Sequence, residues 1–566
     1  MPEESSADKK LCIISKDLEG DFNKAFVRAD VCYHLPADYQ DDEDNHYCIL
    51  HFPNDNKHNN TNFESVVKDK LERNQYFQYV YFPGGGVFQG RTFKHDVNFN
   101  HAVFSSDAYF GKAEFNGRAT FIHTTFKEKA DFSGAKFSQQ VEFKSTKFSH
   151  DANFDRTKFL TEASFSDATF SDFVYFSSAT FAADAYFSRA TFAAGANFNS
   201  AKFSDFVYFS SATFSAAVGF TLAKFSSGAY FESTIFSAAV DFNSAKFLAD
   251  AYFSSATIMA EVNFKKTKFG KDGSTNFDKT NFAGDTFFDR TKFGNDLSFN
   301  SAIFGSESYV IFRRAFFART VDFRYCCAEG YLIFSNPRQS KKSSFELQHA
   351  VFEQASRISF HTVHLRPSWF VNIDSRKFVL TDIFWINRDW DFWNRNIDRE
   401  LQSLEERGIK DQKKRLFEIA ARQLAVNAEE NNRYEEAAKF RYMAMEIRRL
   451  EDRRKLDATR YLMWLYKWTS GYGESWHWAV LVLLVLILFF GLLYASPLSA
   501  FDYGGENQHW MYKIEGLVHS LYVAAFQRPE PKAADNLTKI FILLETIFAP
   551  LQAALLALAI RRKFMR

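Results

Sequence analysis

Near the start of the chain, Cys12, Cys32, Cys48 and His51 are residue types that bind metal, the last two as Cys-x-x-His within "YCILH". They lie in a loop-rich, acidic stretch. Three thiolates and one imidazole make a tetrahedral zinc set, which would stabilise a small domain lacking a core. His34 and His46 are alternative ligands, and the other reading is ordinary buried thiols in a reducing cytosol. Structural zinc is therefore the one cofactor expected. "PGGGVFQG" at residues 83–90 lacks the Gly-Lys-Ser/Thr ending of a phosphate loop and reads as a turn. With no nucleophile elbow, metalloprotease helix or kinase set, the expectation is a protein that is not an enzyme.

A second group with chemistry lies in apolar surroundings. Residues 476–495 and 540–560 are apolar runs long enough to cross a bilayer, and Glu545 falls inside the second. An ionisable residue in a span is a functional expectation. Glu545, Ala549 and Gln552 share one helical face, so Glu545 either lines a pore in an oligomer or bonds to the segment between the spans, at His519 or Tyr522. Pro550 should kink the helix, as a gate or as a packing shape.

The elements that must carry these groups are legible from one anomaly, 69 Phe in 566 residues. From Phe110 onward Phe recurs alternately five and six residues apart as far as Phe269, with Ile258 in one slot. A two-residue insertion near Gly273 shifts the phase, and Phe277 to Phe304 resume it. Fixed self-similarity marks a solenoid. Ser, Thr, Asn, Asp and Gly fill the gaps, which argues against helix. A small or β-branched residue sits two before each Phe, so both point inward from an extended stretch and the residue between points out.

Those outward residues repeat every 22: Tyr186, Tyr208, Tyr230 and Tyr252 form one set. Lys136, Lys158, Lys202, Lys224, Lys246 and Lys268 form another, broken by Thr180 and rejoined by Lys292. Coils of that length with four sides, stacked at roughly 4.8 Å, give a Tyr ladder and a Lys ladder on different faces. The Lys ladder either binds an anion, lipid headgroups or nucleic acid or is a plain solvated face. The Tyr ladder is a binding platform or simply stacks along the solenoid. A cytoplasmic protein is the partner expected for the solenoid.

In these repeats residues 82–323 resemble the pentapeptide-repeat family, in a Phe-centred variant. The resemblance implies an all-β, right-handed quadrilateral β-helix. It also brings in DNA mimicry against topoisomerases, which needs an anionic face. Residues 99–323 carry 23 Lys+Arg and 23 Asp+Glu, and the whole chain has net charge +1, so nucleic-acid mimicry or binding is not expected.

The sequence organises as a small N-terminal domain (1–81), the β-helix with irregular terminal coils (82–370), an α-helical linker (371–470) and a two-span hairpin (471–566). In the linker Phe440, Met443, Ala444, Ile447 and Leu450 fall at helical spacing, with a break at 427–432. Between the spans, residues 514–526 are apolar but too short to cross, and Ser520-Leu521-Tyr522 resembles the pore helix of two-helix cation channels. That resemblance implies a pore built from several copies. The filter departs from it: "FQRPEPKAADN" has two Pro and no Gly where potassium channels carry their backbone carbonyls.

Basic residues flank the outer ends of both spans, so both termini and the solenoid are expected in the cytoplasm. The polar start, "MPEESSADKK", predicts no cleaved signal peptide, and the five Cys no disulfide scaffold. The expectation is an inner-membrane homo-oligomer with the lipid bilayer as one partner. It is either a channel-like protein whose solenoid senses or scaffolds something, or a tethered scaffold that conducts no ions.

Overall fold

The structure is a computed structural model that describes residues 39–40, 46–48, 50–54, 61–73, 75–84, 88–386, 395–451, 458–502, 512–527 and 529–564. It forms two units, Met1–His364 with Phe378–Phe384, and Leu365–Lys377 with Trp385–Arg566.

The first unit is a parallel β-solenoid. Its strands, most of two residues, stack into four faces visited in turn by the chain. Face I runs from Tyr81–Phe82 to Val351–Phe352 and face II from Ala108–Tyr109 to Val379–Thr381, with thirteen strands each. Face III runs from Thr92–Phe93 to Arg338–Gln339 and face IV from Val97–Asn98 to Ser344–Glu346, with twelve each. Each strand pairs with its counterpart one coil on, as in Phe137 beside Phe159. Past the insertion Ala251 pairs with Thr275 in a longer coil, and Ser274 N–H reaches the Asp250 carboxylate at 2.7 Å. Gly273 admits the extra length, because a Cβ there would meet the Ala249 carbonyl carbon at 2.2 Å.

The alternation of five and six has a local cause. Five-residue steps close on a tight turn whose third residue is left-handed: Ser178, between Phe176 and Phe181, has φ 57°. Ala179 N–H bonds back to Phe176 O at 3.0 Å, and Ser178 N–H donates to Asn199 O of the next coil at 2.9 Å. Six-residue steps, such as Phe181 to Phe187, contain no such residue.

Inside, Phe rings stack coil on coil, as in Phe225–Phe247 at 4.4 Å. Rings from faces II and IV meet edge-on across the core, as in Phe165–Phe176 at 5.2 Å. Where Thr replaces the inward Ala of a five-residue step its hydroxyl is satisfied: Thr146 Oγ1 donates to Phe121 O at 2.6 Å. The N-terminal end of the core is covered by helix α1 (Thr61–Arg73), whose Phe63, Val67 and Leu71 are buried. Covering the first coil protects an end that would otherwise be exposed apolar surface.

The sequence placed the end of the β-helix at residue 370. Strand pairing instead continues to Val379–Thr381, in widened coils where Leu332 lies beside Ile358. Apolar positions remain there, at Leu332, Phe334, Ile358 and Phe360, but the five-six rhythm has gone.

In the second unit α2 (Arg395–Glu406) precedes an antiparallel pair, α3 (Lys413–Glu430) and α4 (Tyr434–Glu451). Phe417, Leu424, Phe440 and Ile447 are buried in this pair. Then follow α5 (Ala458–Ser470), α6 (Trp476–Tyr494), α7 (Lys513–Ala524) and α8 (Asn536–Phe564). Helices α6 and α8 are long and apolar enough to cross a membrane. At twelve residues α7 is about 18 Å long and does not reach across a bilayer. It packs tightly on α6, because a Cβ on Gly516 would meet Gly491 O at 2.4 Å.

Candidate functional site

Three places gather the chemistry-bearing residues: the outer faces of the solenoid, the polar groups between α6, α7 and α8, and Cys48 with His51.

On face III the lysines stand in strict register, Lys136 beside Lys158 and Lys202 beside Lys224, Lys246, Lys268 and Lys292 in order, with Thr180 filling the gap. The amines of Lys136, Lys158, Lys202, Lys224, Lys246 and Lys268 make no hydrogen bond or ion pair among the described residues. Lys292 lies over the Phe316 ring at 5.7 Å. Some other surface cations of the solenoid are paired, among them Arg118 with Glu142 and Arg189 with Asp167.

On face IV, Tyr186, Tyr208, Tyr230 and Tyr252 stack face to face, with centroids 5.0, 4.9 and 5.2 Å apart. No ring fits between neighbours at that spacing, so the ladder offers edges and hydroxyls, not stacking platforms. Burial and the neighbouring Asp184, which accepts the Tyr186 hydroxyl at 3.2 Å, push the Tyr186 phenol up to about 12. Burial raises the other three as well. Face I was not singled out by sequence, yet Thr169, Thr191, Thr213, Ile235 and Thr257 make its outward row uncharged over five coils.

Between the apolar helices, Glu545 is fully buried. Tyr494 OH donates to its Oε2 at 2.6 Å, and the Ser520 hydroxyl meets its Oε1. Ser520 Oγ also lies 3.0 Å from Ile487 O. One carboxyl thus ties α8 to both α6 and α7. His519 is buried edge-on against Tyr494 and Phe501, at 5.2 and 5.0 Å, and neither ring nitrogen has a hydrogen-bond partner among the described residues. Tyr522 is exposed and does not reach Glu545. Gln552 Nε2 donates to Thr469 O at 2.7 Å and Ala479 O at 2.9 Å, bridging the ends of α5 and α6. Helix α8 continues through Pro550. Its outward residues, including Ile540, Leu543, Ile547 and Leu551, are apolar.

Sequence reasoning missed the groups that join α4 to the loop before α6. Buried Glu446 accepts from Arg449 at 2.6 Å, Lys467 at 3.0 Å and Tyr472 OH at 2.6 Å. Burial pushes its carboxyl up, but these three donors outweigh it and hold the group down at about 2. Beside it Glu474 takes Arg441 at 2.7 Å and Arg562, from the end of α8, at 3.0 Å. Their signal in sequence was only charge at scattered positions.

Cys12 and Cys32 lie outside the described residues. Cys48 and His51 are buried, with Sγ 3.1 Å from Nδ1. The His51 Nε2–H donates to Gln78 O at 3.2 Å, which leaves the Nδ1 lone pair facing the sulfur. Two zinc ligands would stand about 3.5 Å apart, from bonds of ~2.3 and ~2.0 Å at the tetrahedral angle. The pair therefore fits half of a zinc set, and equally an S–H···N bond. Among the described residues no three His, Cys, Asp or Glu gather as a metal site.

A parallel four-faced solenoid of about 22 residues per coil, with Phe at nearly every corner of its regular part, defines a class of repeat protein. A family model of pentapeptide repeats matches residues 88–135 and 154–202, in nine copies. The chain thus carries pentapeptide repeats in its solenoid and two apolar helices near its C-terminal end. No curated protein and no solved structure matches it.

Proposed function

We propose that the chain is a membrane-tethered scaffold: α6 and α8 anchor it in a bilayer, and the cytoplasmic solenoid presents its faces to a partner. The observation that carries this reading is where the polar groups of α8 are spent. Glu545 and Gln552, which would line a pore, are bonded within one protomer to Tyr494, Ser520, Thr469 and Ala479. What α8 turns outward is Leu, Ile and Phe, the residues that meet lipid or another apolar helix. No catalytic role and no bound nucleic acid are part of the reading.

A channel-like pore built from several copies is the second reading. It is favoured by α7, a helix too short to span that packs between two that are long enough. Ion flux into proteoliposomes separates the two. The tether predicts flux no greater than in empty vesicles. Flux above that level, changed by Glu545→Gln, would replace the tether with the pore.

A further inference from the structure

We infer that face III docks flat on an anionic lipid leaflet. The inference rests on the membrane-tether reading and adds a second contact, made by the solenoid. Seven lysines occupy eight successive positions of one parallel sheet from Lys136 to Lys292, with no acidic residue in that row. At about 4.8 Å per coil the row is roughly 34 Å long and held by backbone ladders. Six of the seven amines are unpaired among the described residues, so the row keeps its charge for an outside partner.

The shape selects the partner. Like-facing residues of an extended acidic peptide recur at about 6.7 Å, so they lose register with coils at ~4.8 Å within a few steps. The phosphates of a duplex nucleic acid wind about its axis, whereas the lysines stay on one sheet face. A fluid leaflet supplies mobile anions to any spacing, and a plane of lysines meets a plane of headgroups along its whole length.

Two further features set which way the rod rolls. The edge between faces II and III carries exposed Arg156, Lys266 and Arg290. The edge between III and IV carries Glu162, Asp184, Asp205 and Asp250, with Leu160, Phe206 and Leu248 exposed among them. On the basic edge stands Leu222, left-handed at φ 60° and 60% exposed, where neighbouring coils place Ser178, Ser200 and Ser244. An apolar side chain projecting among lysines suits the boundary between headgroups and acyl chains. Both edges expose apolar side chains, so charge sets the roll: docking places the basic II–III edge against the lipid and the carboxylates of the III–IV edge away from it.

The test uses the full chain in vesicles, with an environment-sensitive fluorophore on Leu222→Cys or, on the opposite face I, on Thr213→Cys. Signal from the native cysteines, read on the unsubstituted chain, is subtracted. With phosphatidylglycerol mixed into phosphatidylcholine vesicles at low salt, emission from position 222 should rise severalfold over phosphatidylcholine alone. In high salt it should return to that neutral level. Position 213 should not respond. Replacing Lys202, Lys224, Lys246 and Lys268 by Thr, the residue native at position 180 of the row, should abolish the rise. At about fivefold per lysine, four replacements lower the docked population by a few hundredfold.

Equal emission from 222 and 213, or emission at 222 indifferent to lipid charge, overturns the inference. Flotation reports on the tether separately. A chain that floats with anionic vesicles only at low salt would sink the tether yet support docking, because face III would then be the contact.

Discussion

The Tyr494 hydroxyl donates to Oε2 of Glu545 across 2.6 Å, joining the end of α6 to the middle of α8. Ser520 of α7 meets the other carboxyl oxygen, so three helices share one buried group. Removing either Tyr494 OH or Glu545 leaves the other partner buried and unsatisfied. Tyr494→Phe and Glu545→Ala should each destabilise the hairpin by about 1 kcal/mol in mild detergent, with a coupling of similar size in the double mutant. Glu545→Gln keeps an acceptor for Tyr494 and should lose less. Strictly additive losses, measured by denaturant titration of helicity, would show that the contact contributes nothing.

The carboxyl of Glu446 gives the helical unit an acid limit. Its folded value of about 2 lies below the ordinary 4.5, so the unfolded chain takes up its proton first as pH falls. The stabilisation is complete above about pH 4.5 and is lost progressively towards pH 2. The shift corresponds to something on the order of 3 kcal/mol at neutral pH. Glu446→Gln should be less stable by that order at pH 7, and its unfolding curve should converge with the native one near pH 2. A constant offset between the two proteins down to pH 2 would assign the loss to packing and not to charge.

The solenoid was legible because its cause is local and repeated. One Phe per corner, a small inward residue two before it and a left-handed turn in each five-residue step are decided within a few residues. Register then follows, because only an offset of one whole coil stacks Phe176 on Phe198 and Lys202 on Lys224. The site around Glu545 was half legible. A carboxyl in an apolar run announces itself, but its partners are 51 and 25 residues away and no period connects them. Tyr522 has the same spacing logic as Ser520, and only packing decides that one faces in and the other out. Glu446 with Lys467 and Tyr472 was not legible at all, since in sequence they are ordinary residues of a charged helix and a loop.

The Tyr ladder should show itself in alkali. Burial, with Asp184 added at Tyr186, keeps all four phenols protonated past their ordinary value of 10, and Tyr186 to about 12. The unfolded chain therefore loses these protons first, and solenoid stability should fall from pH 10 upward. Replacing the four by Phe keeps stacked rings and removes the ionisation. That variant should lose the part of the alkaline decline that begins at pH 10, followed by far-ultraviolet circular dichroism. An unchanged decline would mean that the phenols are not shielded in solution.

The Phe columns predict a position-dependent cost. Phe231 stacks on Phe209 and Phe253 at 5.0 and 4.8 Å and meets Phe220 and Phe242 edge-on at 5.7 and 5.6 Å. Phe93, in the first strand of face III, stacks on Phe115 alone within its column. Phe→Ala in a core costs about 3–5 kcal/mol, and less where the surroundings can collapse into the gap. In a stack of coils coupled mainly to their neighbours, a central defect also cuts the array in two. Phe231→Ala should therefore lower the unfolding midpoint more than Phe93→Ala and split the transition into two steps. Phe93→Ala should shift one transition only slightly. Equal shifts with one transition each would mean that the solenoid unfolds as a single cooperative unit and that coupling reaches well beyond adjacent coils.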